Sequence, residues 1–272
     1  MSSQVSKHAV IESGAEVGDG CQIGPFCHLG PHVRLGKNNV LHAGVVIDGH
    51  TTMGDDNEVY PYACIGKISQ DLKFNKEWVS YSKIGSGNVF REYVTVNASS
   101  IEGESTIIGD NCLLLSYSHV AHDCVLGNRV IISSDSKLAG HVEVGDNAII
   151  NAKTGVVQFV RIGEFSFIGG FNKVTKDILP YCLAEGFPSA IRSINKVGLE
   201  RNGFERETIR AIREAFRTII RSDLTLNDAI EELRRGYPDV AEVGRMIDFA
   251  AASKLGLARP KNRTGAGKKP SP

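Results

Sequence analysis

Aliphatic residues recur every six positions along most of this chain. The first series runs Ile11, Val17, Ile23, Leu29, Leu35, Leu41, Ile47, Met53, Val59 and Ile65 without a miss. After an interruption the phase resumes at Ile84, Phe90 and Val96, skips Glu102, and continues every sixth residue from Ile108 to Val174. A glycine often follows directly, as at Gly18, Gly36, Gly109 and Gly127. Neither the helical period of 3.6 nor the strand period of 2 explains such spacing. Each hexad instead predicts one short strand and a turn. The aliphatic side chain points into a narrow core, and glycine, Asn or Asp admits a corner at positive φ. A single hexad cannot bury its own apolar face, whereas stacked coils bury a continuous one, so the pattern predicts a parallel solenoid.

The motif resembles the hexapeptide-repeat family. That resemblance implies a left-handed parallel β-helix, a triangular prism with three hexads per coil. The rhythm breaks twice, over 67–83 and over about 98–106, and loops leaving a solenoid commonly carry binding function. Beyond Pro180 the hexads stop. Ile209, Ile212, Phe216 and Ile219/Ile220 then repeat at helical spacing, a second helix starts near Leu224, and a third covers 240–255. The expected organisation is a β-helix over 1–190, a smaller α-helical C-terminal domain over 191–257, and a basic disordered tail over 258–272 whose sequence, RPKNRTGAGKKPSP from Arg259, lacks apolar residues.

Composition narrows the function classes. Basic and acidic residues balance at 31 each, so no global charge points to nucleic acid, and an anionic ligand would need a local cluster. No signal-peptide core or membrane-length apolar run is present, which predicts a cytoplasmic protein without membrane insertion. Six cysteines without a CxxC pair predict reduced packing residues rather than a disulfide scaffold or zinc site.

With three hexads per coil, a residue lies above the one 18 positions earlier, about 4.8 Å away. His122, Gly140 and Gln158 should therefore stack in one surface column, with Asp123 and His141 in a second column beside it and His119 close by. Histidines with an adjacent carboxylate suit general-base chemistry, since the carboxylate fixes the imidazole tautomer. A backbone amide near Gly140 could hold an oxyanion. Zinc binding and ordinary surface histidines both remain open on spacing alone.

The strings IGPFCHLGPHV, QDLKF, SHVAHDCVLGNRV, LAGHVEVGDNAII and GLERNGFERE, in this order, resemble the UDP-N-acetylglucosamine 3-O-acyltransferase family that begins lipid A synthesis. The resemblance covers about residues 8–257. It implies transfer of an (R)-3-hydroxyacyl group from acyl carrier protein to the glucosamine 3-OH of UDP-N-acetylglucosamine. It further implies a homotrimer with sites between subunits, and no cofactor or metal beyond the acyl donor. Carried over by position, His122 is the general base, Asp123 the acid that orients it, and the Gly140 amide the oxyanion donor. Gln70, Asp71, Lys73, His119, His141 and Gln158 line the substrate site. Asn195 and Arg201 approach the nucleotide, where a guanidinium can grip a diphosphate, and Gly170 limits acyl length.

Three departures stand out. Val157 replaces a family histidine, Val96-Asn97-Ala98-Ser99-Ser100 replaces the IHRGT string, and Asn202 replaces the second arginine of a nucleotide-contacting pair. They leave open an acyl or acetyl transfer to a different nucleotide sugar, such as a 3-amino sugar, or a non-catalytic solenoid. A helical stripe of Arg210, Arg213, Arg217 and Arg221 would suit an acidic carrier protein.

Overall fold

The hexads form short parallel strands whose second residue enters the core, from Gln22–Ile23 to Lys173–Val174. The computed structural model describes residues 3–260, so the expected tail from residue 261 onward lies outside the described residues. Strands fall in turn onto three faces, A, B and C, with eleven, nine and eight strands. Within a face each strand pairs in register with the strand one coil on, as His119 does with Lys137 and Val120 with Leu138. The result is a left-handed parallel β-helix with a helical C-terminal part. Its axis is filled by the six-residue aliphatic series, with Leu29, Ile47, Ile65, Phe90, Leu114, Ile132, Leu138 and Ile150 completely buried.

The glycines do a different job from the one the spacing suggests. The left-handed corner residue lies three positions after the aliphatic one and is commonly not glycine: Phe26, Asn38, Tyr62, Asn111, Asp123 and His141 all have φ near 60°. The glycine directly after the aliphatic residue is instead a close-approach position. A Cβ on Gly18 would lie 2.4 Å from the Gly36 carbonyl oxygen of the next coil.

Both breaks in rhythm leave the prism at its B–C edge, as loops 68–80 and 98–104. Because the second adds six residues, Thr95 pairs with His119 at a separation of 24 in place of 18. The same edge carries one left-handed column, Asp123, His141 and Phe159, with His32, His50 and Tyr81 in register towards the N-terminus. His32 stacks on His50 at 4.2 Å.

Past the last hexad, Cys182–Glu185 extends face A and pairs antiparallel with Ala190–Ile194, a hairpin that the six-residue count does not predict. The solenoid sheet therefore runs to Ile194, beyond the expected boundary at residue 190. Among the described residues four α-helices follow: α1 (Lys196–Arg201), α2 (Arg206–Phe216), α3 (Leu226–Gly236) and α4 (Ala241–Ala251). A π-turn over Arg217–Arg221 prolongs α2, and Thr225 caps α3 by accepting from the Asp228 amide at 3.2 Å. The third expected helix ends four residues early, at Ala251. After it the chain returns to the solenoid, where Leu257 bridges Asp177 and Ala258 is buried and bonded to Ile191. Apolar faces of α2, α3 and α4, including Ile212, Leu233 and Met246, join the solenoid core. The network of Tyr181, Glu164 and Arg245 ties α4 to the last coils: Arg245 donates to the Tyr181 hydroxyl at 2.7 Å and pairs with Glu164 at 2.6 Å. No helix among the described residues is long and apolar enough to cross a membrane.

Candidate active site

The expected columns form at the B–C edge, and the His122–Asp123 end of them is buried rather than superficial. His122 is 5 % exposed, and its side chain and that of Asp123 are 7 % and 8 % exposed. The chain places His122 in the turn between His119–Val120 and Val125–Leu126, and its ring lies flat over Gly140 of the next coil. A Cβ there would meet His122 Cε1 at 2.3 Å and Nε2 at 2.6 Å. Gly140 therefore exists as glycine to make room for the ring.

Asp123 Oδ2 accepts from His122 Nδ1 at 2.7 Å. With that nitrogen carrying the proton, Nε2 is left as a lone-pair acceptor. His141 stands edge-on to His122 at 5.3 Å and stacks flat on Phe159 at 4.7 Å, with its Nε2 3.6 Å from Asp123 Oδ2. His119 Nδ1 is 2.7 Å from the Thr95 hydroxyl. Burial pushes the His119 pKa down, aided by the nearby charges of Lys137 and His122.

Asp123 is held by residues that the spacing does not flag. Loop 98–104 brings Ser99 and Ser100 onto its carboxylate: the Ser99 hydroxyl donates to Oδ1, and the Ser100 hydroxyl donates to Oδ2 at 2.6 Å. The Ser100 amide adds contacts at 3.3 and 3.2 Å. Burial pushes this carboxyl up, but donation from Ser100, Ser99 and His122 outweighs it, so Asp123 stays below the ordinary aspartate range and ionised.

A cleft of about 650 Å³ opens beside Asp123 and His141, lined also by Phe159, Arg161, Lys254 and Leu255. The segment after α4 closes its far end, where Ser253 donates to Asp177 at 2.7 Å. Atoms of His122, Asp123 and His141 lie within 4.8 Å of one another and could in principle ligate one metal ion. In this structure His122 Nδ1 and Asp123 Oδ2 are bonded to each other, an arrangement that suits proton transfer.

The remaining expected residues scatter. Gln70 and Lys73 are exposed on loop 68–80, while Asp71 Oδ1 accepts from the Lys73 amide at 2.8 Å and so closes a turn of that loop. Gln158 is exposed one coil beyond Gly140. Val157, in place of the family histidine, packs against the core. Asn97 is buried and donates to the Ile68 carbonyl at 3.1 Å, so it fastens one loop to the other. Gly170 sits at the A–B edge, where a Cβ would approach only the Ala152 carbonyl, at 3.3 Å. Asn195 lies by the C–A edge, 8 % exposed, and both halves of its amide are spent on the fold: it caps α1 through Gly198 at 3.2 Å and donates to the Phe165 carbonyl at 2.9 Å. Arg201 is exposed in the last turn of α1, and Asn202 caps that helix by donating to Gly198. Within one chain the structure thus assembles His119, His122, Asp123, Gly140 and His141, and puts Gly170 and Asn195 on the other two edges.

Residues 177–258 match a family described as UDP N-acetylglucosamine O-acyltransferase, domain 2, and residues 14–49 and 105–140 match the bacterial transferase hexapeptide repeat. Among curated relatives, acyl-[acyl-carrier-protein]–UDP-N-acetylglucosamine O-acyltransferases from Akkermansia muciniphila and Thermodesulfovibrio yellowstonii are 51 % and 37 % identical. The matches cover 78 % and 94 % of this chain, and 82 % and 100 % of those proteins. The crystal structure of a UDP-N-acetylglucosamine acyltransferase from Bacteroides fragilis superposes with a TM-score of 0.91 at 38 % identity, over 94 % of this chain and 100 % of that one. The Francisella novicida enzyme gives 0.92 at 30 % identity, over 98 % and 99 %. The chain belongs to the acyl-[acyl-carrier-protein]–UDP-N-acetylglucosamine O-acyltransferase family.

Proposed function

We propose that this chain transfers an (R)-3-hydroxyacyl group from acyl carrier protein to the 3-OH of UDP-N-acetylglucosamine, the first step of lipid A biosynthesis, with His122 as general base. The observation that carries the mechanism is the buried Asp123–His122 pair, 2.7 Å apart, over Gly140. His122 Nε2 takes the proton of the acceptor hydroxyl as its oxygen attacks the thioester carbonyl. The tetrahedral oxyanion is held by the Gly140 amide, which has no backbone acceptor among the described residues. Collapse breaks the C–S bond, and the imidazolium returns its proton to the departing carrier thiolate. Asp123 stabilises the imidazolium without taking up the proton.

His119, His141, Gln158, Gln70, Asp71 and Lys73 frame the acceptor and the donor arm around this edge. Arg201, and Asn195 through the α1 end that it caps, approach the nucleotide, and Gly170 sets acyl length. Gly170 and Asn195 lie on other edges, so a complete site draws on a neighbouring copy, in keeping with a homotrimer. The thioester arrives activated, and the chemistry calls for no metal or cofactor. A cytoplasmic location fits the nucleotide sugar and the carrier protein. Mass spectrometry of UDP-N-acetylglucosamine incubated with the protein and (R)-3-hydroxyacyl carrier proteins of several lengths tests the assignment. One acylated nucleotide with a preferred length supports it, and no product with any donor sinks it. Light scattering at three chain masses checks the trimer.

A further inference from the structure

Asp123 has an unusual set of partners for a residue at a solenoid corner. Its backbone is left-handed, with φ 61°, and its amide donates to the buried Thr106 hydroxyl at 2.8 Å. Its side chain is nearly out of water, and a carboxylate in such a place must have its lone pairs met. His122 supplies one donor. His141, at 3.6 Å, is too far to supply a second. Both remaining side-chain donors come from Ser99 and Ser100.

These serines are themselves braced. The Ser80 hydroxyl donates to the Ser99 carbonyl at 2.7 Å, and the Ile101 amide donates to the Ser99 hydroxyl at 3.0 Å. Asn97, two residues before, is anchored to loop 68–80. The hydroxyls are therefore presented by a braced loop rather than by mobile side chains.

We propose that Ser99 and Ser100 are positioning residues for acyl transfer: their hydroxyls fix the Asp123 carboxylate, and through it the tautomer and tilt of His122. The proposal rests on His122 acting as base and names what holds that base in place. Both hydroxyls are committed to Asp123 rather than to a substrate. Removing one leaves part of a buried carboxylate bare, free to rotate away from Nδ1 or to take up a proton. Either event weakens the grip on the imidazole. Because donors to the anion are lost, the Asp123–His122 pair accepts a proton more readily, and the acid limb of the rate profile moves to higher pH.

The test is steady-state kinetics across pH on the full chain, with Ser100→Ala, Ser100→Thr, Ser99→Ala and the double alanine variant beside His122→Ala. Ser100→Ala is expected to lower kcat about tenfold, the loss of one hydrogen bond to a charged group. KM for the nucleotide stays unchanged and the acid limb shifts upward. Ser100→Thr keeps the hydroxyl and restores both kcat and the limb. Should Ser99→Ala unfold because of the Ile101 contact, the Ser100 pair decides the question alone. Folded Ser100→Ala protein with wild-type kcat and an unmoved acid limb, beside an inactive His122→Ala, overturns the proposal and leaves the base assignment standing. An active His122→Ala overturns both.

Discussion

Replacing Gly140 by alanine separates the geometry of the base from the stability of the fold. The Gly140 backbone is not in the left-handed region, so alanine meets no left-handed backbone strain there, and the nearest obstacle is the His122 ring. The new methyl would lie 2.3, 2.6 and 2.9 Å from Cε1, Nε2 and Nδ1. Ordinary contact needs about 3.5–4 Å, so the ring must retreat by roughly 1 Å or more. It is trapped between Gly140 and Asp123, and moving it lengthens the 2.7 Å bond to Oδ2 or turns Nε2 off the acceptor. A misplacement of about 1 Å in a reacting group lowers rates by about 100-fold. Overpacking a buried site lowers stability by about 1–3 kcal/mol. The expected result is a folded protein with a slightly lower melting temperature, kcat reduced about 100-fold, and KM for the nucleotide nearly unchanged. Thermal unfolding and initial rates with a 3-hydroxyacyl carrier protein measure both. A variant within about threefold of wild-type kcat, well inside that margin, would refute the ring-over-glycine arrangement as the basis of activity.

Stability should depend on pH through His119, whose pKa burial lowers. The unfolded chain takes the proton first, so this stability is full above about pH 6.5 and is lost as pH falls through the lower folded value. Melting temperatures between pH 7 and pH 5 should fall further for wild type than for His119→Gln, and equal falls would rule out the contribution. Tyr181→Phe removes the hydroxyl that accepts from Arg245 and donates to Glu164. It should lower stability by about 1–2 kcal/mol without changing kcat, whereas a large kcat effect would place the α4 attachment in the mechanism. Five of the six free cysteines are buried, and burial raises the thiols of Cys112 to about 11 and Cys124 to about 12. A colorimetric thiol reagent should therefore titrate at most Cys64 in native protein and all six after denaturation.

The solenoid was legible because its signal is one-dimensional: a core position every sixth residue needs no knowledge of distant contacts, and nearly every residue of that series is buried. The Asp123–His122 pair and Gly140 followed from the same counting, since neighbouring coils convert sequence separation into height. What the count could not carry was anything that depends on a change of phase. Ser99 and Ser100 reach Asp123 only because loop 98–104 alters the offset between coils, so their contacts span 24 and 23 residues. The hairpin of Cys182–Glu185 with Ala190–Ile194 and the six-residue α1 are too short to show a period of their own. Glycine was visible, but its reason was not. At positions such as Gly18 the constraint is the carbonyl of the next coil, a contact between coils rather than a property of the local backbone. Asn195, placed near the nucleotide by resemblance, spends its side chain on capping α1, a role visible only once Gly198 and Phe165 are seen around it.

The central claim is that a buried imidazole, oriented by Asp123, takes the acceptor's proton. The most direct measurement is kcat for His122→Ala against wild type, with the melting temperature of both proteins recorded in the same buffer. A folded variant slowed by about 10²–10⁴-fold is the predicted result. A folded variant that acylates UDP-N-acetylglucosamine at the wild-type rate would contradict the account.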